Sequence, residues 1–109
     1  MEKHKKLDTY GRFKKQHPDY FAAVEALGAA VRDVGPLDER QVQLVQLGAA
    51  AAIRSEGAVH SHARRALEAG ASPEQVRHAL LSITSTIGFP TVIAALSWAE
   101  EVIADAAQP

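Results

Sequence analysis

Apolar residues recur along this chain at three- and four-residue intervals, and the alternation expected of strands is nearly absent. The spacing predicts an all-α protein, a small domain of five to six antiparallel helices. A turn or short helix covers Thr9 to Gln16. The next helix begins at Pro18, since proline suits the first helical position. It carries the stripe Phe21, Val24, Leu27, Gly28 and Val31 until Gly35-Pro36 stops it. Asp38, with Gln41 three residues on, forms a capping box and opens a helix that runs to about Arg54. Val42, Val45, Ala49, Ala52 and Ile53 make one stripe on it, and from Leu47 to Ile53 every residue is apolar or small. A helix apolar all round is buried on most sides, which in so short a chain predicts a subunit interface as well as a core. Gly57 is read as a break, followed by a helix from about Ala58 to Ala69 that Gly70 closes. Ser72-Pro73-Glu74-Gln75 is a second capping box, and its helix carries Val76, Ala79, Leu80, Ile83 and Ile87. Gly88-Phe89-Pro90 separates it from a last helix striped by Val92, Ala95, Leu96, Ala99, Val102 and Ile103. Trp98 falls on a second face, where an aromatic suits an interface.

Composition narrows the classes of function. The 109 residues suit one domain, and 47% hydrophobic content supports a packed core. The expected boundaries are a partly flexible segment 1–17 and a helical domain 18–106, with Met1 to Lys6 and Ala106 to Pro109 fraying. Net charge is −1 with dispersed lysine and arginine, so no basic face for nucleic acid is expected. The longest apolar-rich stretch, Leu44 to Ile53, is too short to span a bilayer. The N-terminus lacks an apolar leader, so a cytoplasmic location is expected. There is no cysteine, which removes thiolate nucleophiles, disulfides and thiolate metal sites.

The segment from Leu37 to Ile103 resembles the carboxymuconolactone decarboxylase-like families. The likeness rests on an ordered set: Leu37-Asp38, Leu47-Gly48, the run from His62 to Ser72, Glu74-Gln75-Val76, and Gly88-Phe89-Pro90 before an Ala-rich helix. The alkylhydroperoxidase-D-like branch of that group uses Cys-x-x-Cys-x-x-x-His with a glutamate in the preceding helix. Aligning its histidine with His62 puts the cysteines at Ser55 and Ala58 and the glutamate at Gln43. Serine cannot stand in for a thiol that must become a sulfenic acid and then a disulfide. The resemblance therefore implies the lactone-decarboxylase side of the group, a lyase-like small-molecule enzyme with His62 retained. It also implies a homo-oligomer, a trimer or a hexamer built of dimers.

The candidate chemistry centres on His62, which shares an apolar stripe with Val59, Ala63 and Ala66. It is either a core histidine with a hydrogen-bonded ring or a general acid/base. Ser55 is a candidate catalytic partner through a proton relay, and Gln43 and Arg54 are candidates to hold polar groups of a small carboxylate or lactone. Glu56, His60 and Arg64 are spaced i, i+4, i+8 and form either a solvated ladder or the border of a cleft that binds substrate. Ser82, Thr84, Ser85 and Thr86 either bond back to preceding carbonyls or, Thr84 foremost, wall a ligand pocket. His60 and His62 lie about 200° apart on a regular helix and cannot chelate one ion together; a metal site would need a break near Gly57 or ligands such as His17 or His78 from another chain, so no metal is expected, and no cofactor is expected either. The alternative to an enzyme is a non-catalytic ligand-binding or oligomeric scaffold.

Overall fold

The structure, a computed structural model, describes residues 8–108. These residues are helical throughout apart from short connections, and no strand occurs among them. Expected fraying at Met1 to Lys6 and at Pro109 lies outside the described residues. The helices are α1 (Thr9–Gln16), α2 (Pro18–Arg32), α3 (Glu39–Ala52), α4 (Glu56–Glu68), α5 (Pro73–Leu81), the single turn α6 (Thr84–Ile87) and α7 (Phe89–Ala106).

The chain divides into two compact units at Pro36/Leu37. The first holds α1 and α2. Tyr10 meets Phe21 edge-on with ring centroids 5.1 Å apart, and its hydroxyl donates to Glu25, which also pairs with Lys14 at 2.9 Å. The second unit holds α3 to α7 and contains the core. Leu47, Ala51, Val59, Ala63, Ala66, Val76, Leu80, Ala95 and Ala99 have no exposed surface. Alanine at so many of these sites lets the helices approach closely. Within this unit α4 packs on both α3 and α7, and α5 packs on α3 and α7.

Both capping boxes form. Asp38 accepts from the Gln41 backbone at 2.8 Å while the Gln41 side chain accepts from Asp38 N–H, and Ser72 and Gln75 do the same. The end of α4 is a Schellman motif: Gly70 sits at φ +103°, Ala71 N–H reaches Ala66 O and Gly70 N–H reaches Leu67 O. The end of α3 repeats it with Arg54 in the glycine position at φ 57°, where Ser55 N–H reaches Ala50 O and Arg54 N–H reaches Ala51 O. This tight reversal turns the chain straight into α4, so α3 and α4 form a helical hairpin.

Three expectations are corrected. Gly57 does not break the chain: α4 begins at Glu56, because Ser55 caps it by accepting from Ala58 N–H at 3.2 Å. The helix after Ser72 does not continue to Ile87. It ends at Leu81, where the Ser82 and Thr84 hydroxyls donate to the carbonyls of Ala79 and Leu81, local bonds that compete with helix continuation. The stripe expected to face the core of α3 is also displaced. Gln43, Leu47, Ala50 and Ala51 are buried, whereas Val45 and Ile53 are 61% and 75% exposed. The last helix behaves as predicted, burying Val92, Ala95, Ala99 and Ile103, and Trp98 packs partly buried against that core.

Candidate functional site

A polar chain crosses the α3–α4 hairpin, running from the exposed Glu39 through the buried Gln43 to the half-buried His62. Gln43, one turn after Glu39 on α3, is 1% exposed. Its Nε2 donates to Glu39 Oε2 at 2.8 Å, and its Oε1 lies 2.8 Å from His62 Nδ1 on α4. The carboxylate sets the direction of this chain. A reversed amide would place the Gln43 carbonyl against Glu39, two acceptors with no proton between them. With Oε1 turned to His62, the ring must supply the hydrogen, so Nδ1–H donates to Gln43. In a neutral ring the lone pair is then on Nε2. Burial pushes His62 below the ordinary histidine range, and the neighbouring Arg65 guanidinium pushes the same way. Both effects favour the uncharged imidazole, whose basic nitrogen is left out of the Glu39–Gln43 chain.

The predicted site residues separate into groups. His62 and Gln43 come together, joined by Glu39, which was not singled out beforehand. Its signal in the sequence was the i, i+4 spacing to Gln43 at the start of the helix. Ser55 stands apart. Its Oγ is occupied as the α4 cap, and the seven residues to His62 span about 10 Å of helix. The direct Ser55–His62 relay is therefore not made. Arg54 donates from Nη1 to Thr91 Oγ1 at 2.7 Å, linking the hairpin turn to the start of α7. Thr84 commits its hydroxyl proton to Leu81 O. Glu56 and His60 lie on the other side of α4 from His62, and His60 Nε2 is 2.8 Å from Glu101 Oε1 of α7. Glu101 is the second residue missed, since nothing along the chain ties it to position 60.

Cavities open on the surface of this unit. One, of about 450 Å³, is an apolar groove lined by Leu44, Gly48 and Ala52 of α3 together with Ala79, Ile83 and Ile87. Another, of about 330 Å³, lies between α4 and α7 and is lined by Arg64, Leu67, Glu68, Val102, Asp105 and Ala106. No helix among the described residues is long and apolar enough to cross a membrane.

The chain is an all-helical domain, free of cysteine, with a carboxamide and an imidazole hydrogen-bonded across a helical hairpin. The chain belongs to the carboxymuconolactone decarboxylase family, whose model matches residues 18–101. It is 30% identical over 98 residues to an uncharacterized protein of Methanocaldococcus jannaschii, covering 90% of this chain and 92% of that one. A second uncharacterized protein, from Haemophilus influenzae, is 38% identical over 58 residues, 53% of this chain and 51% of the relative. The fold matches the crystal structure of apo-lpg0406, a carboxymuconolactone decarboxylase family protein from Legionella pneumophila. That match has a TM-score of 0.81 at 20% identity, over 96% of this chain and 93% of the other.

Proposed function

We propose that this protein is a small-molecule enzyme of the lyase kind, moving a proton at His62 Nε2 on a carboxylate or lactone substrate, without thiol peroxidase activity. The observation that carries this reading is the Glu39–Gln43–His62 chain, which leaves a neutral imidazole with its lone pair on Nε2. A base held neutral and oriented by a buried partner is what general acid/base chemistry near neutral pH requires. Arg54, held by Thr91, is the candidate to take a substrate carboxylate. The test is a ring-nitrogen NMR titration of His62 against a panel of small lactones and carboxylates, followed by turnover of any compound that binds. One compound class should move the His62 resonance, and His62→Ala should abolish its turnover. Turnover that survives His62→Ala would sink the assignment.

A second reading, a non-catalytic scaffold, has its own observation: the half-buried His62 ring is hydrogen-bonded to the buried Gln43, as a structural histidine would be. A His62 resonance that no ligand moves would favour it. On either reading we propose that the chain self-associates as a trimer or hexamer through the exposed face of α3. Val45 lines the apolar groove there and Ile53 stands open at the end of the same helix, and molecular mass in solution decides the point.

A further inference from the structure

The side of α4 turned away from His62 carries a second cluster. Glu56 and His60 are one helical turn apart on one face, and Glu101 meets them from α7. One donor atom from each residue lies within 4.8 Å of the other two. Core packing fixes the backbones behind them: Val59 and Ala63 of α4, and Ala95 and Ala99 of α7, are fully buried. His60 is half-buried, while both glutamates are exposed. Among the described residues neither glutamate forms an ion pair with a lysine or arginine. Glu101 meets the His60 ring at 2.8 Å, and a Glu56 carboxylate oxygen lies within 4.8 Å of both. The nearest cation along the face, Arg64, lies one turn on and lines the cleft with Glu68 and Asp105.

We propose that Glu56, His60 and Glu101 form a binding site for a divalent transition-metal ion between α4 and α7. One imidazole nitrogen and two carboxylate oxygens suit zinc or ferrous iron better than magnesium or calcium, which prefer all-oxygen sites. Metal–donor bonds of about 2.0–2.2 Å put neighbouring donors roughly 3 Å apart. The 2.8 Å spacing of His60 and Glu101 already matches, and an exposed Glu56 side chain closes the rest by a rotamer change. The ion takes the Nε2 lone pair, so the proton bridging His60 and Glu101 moves to Nδ1 or leaves to solvent. Three protein donors leave coordination positions open to water or an anionic ligand. The helix geometry that forbids a His60–His62 pair is respected, because the third donor comes from another helix.

Zinc added to the chelator-treated full-length chain is the probe, followed by calorimetry and histidine-ring NMR. We expect saturable binding of one ion per chain and movement of the His60 ring signals, with those of His17 and His78 unchanged. Loss of outer hydrogen-bond partners alone weakens metal sites about 10–100-fold. His60→Gln and Glu101→Gln should therefore each weaken binding at least about tenfold. Glu56→Gln, at an exposed position with no hydrogen bond to lose, checks the effect in a chain whose folding is not in question. Absence of saturable binding, affinity unchanged in all three variants, or a response centred on another histidine would overturn the site. Such a failure leaves the His62 reading intact, since the two lie on different sides of α4.

Discussion

Gln43 occupies the position where the resemblance to the thiol-bearing branch puts a glutamate, and this substitution governs what His62 can do. A carboxylate there would favour a charged imidazole, whereas the carboxamide accepts one hydrogen bond and adds no charge. Gln43→Leu should leave the buried Nδ1–H without a partner, at a cost of about 1–3 kcal/mol. The ring should then lose its single tautomer, which nitrogen chemical shifts report directly. Gln43→Glu should raise the His62 pKa in the same spectra, and a fall instead would contradict the pairing. The lowered His62 pKa also predicts an acid-sensitive fold. Above the ordinary histidine value of about 6.5 the ring is neutral in both states and the stability is fully present. As pH falls through that value the unfolded chain takes up the proton first, so stability declines toward the folded pKa. Chemical denaturation of the chelator-treated protein should show this slope, and His62→Gln should flatten it.

At the scale of elements, the ends of α4 make opposite demands on two glycines. Gly57 lies in the first turn with open space around the position of a Cβ. Gly57→Ala should therefore stabilise the protein by up to about 0.5–1 kcal/mol through reduced backbone freedom in the unfolded chain. Gly70 also has open space, but its φ of +103° is strained for any L side chain. Gly70→Ala should destabilise by about 1–2 kcal/mol. Thermal melts of the two variants should move in opposite directions, and a shared direction would contradict the assigned cap. Arg54 occupies the equivalent position of α3 without being glycine. The strain there is accepted where the guanidinium reaches Thr91, which ties the hairpin turn to α7.

For the whole molecule, the exposed face of α3 is the surface on which the proposed self-association rests. Val45 lines an apolar groove and Ile53 stands 75% exposed at the end of the same helix, and an open apolar surface of this kind is characteristic of association sites. Sedimentation should give a mass three or six times that of one chain, with Val45→Asp or Ile53→Asp shifting it to smaller species. A monomer for the native chain at every concentration would rule out the proposed association. Leu47→Ala, deep in the core of the same helix, should cost about 2–5 kcal/mol instead. It serves as a control that separates loss of fold from loss of association.

What the amino-acid sequence determined by itself was local and periodic. Capping boxes at Asp38 and Ser72, the stop at Gly70, the all-helical class and the buried stripes of α4 and α7 depend on residues within one or two turns of each other. The absence of any thiol and the half-burial of His62 beside alanines and valine were equally legible. Packing decided the rest. Which side of α3 faces inward could not be read from Leu47 onward, because periodicity carries no information when every side is alike; before that stretch Gln43 went inward against its polarity, since its amide finds Glu39 and His62, and Val45 went out. The partners of the two histidines were settled only when α3 and α7 were brought against opposite sides of α4. His62 found Gln43 nineteen residues away and His60 found Glu101 forty-one residues away. Hydrogen bonds over such separations depend on how helices cross, and no spacing along a single helix encodes that.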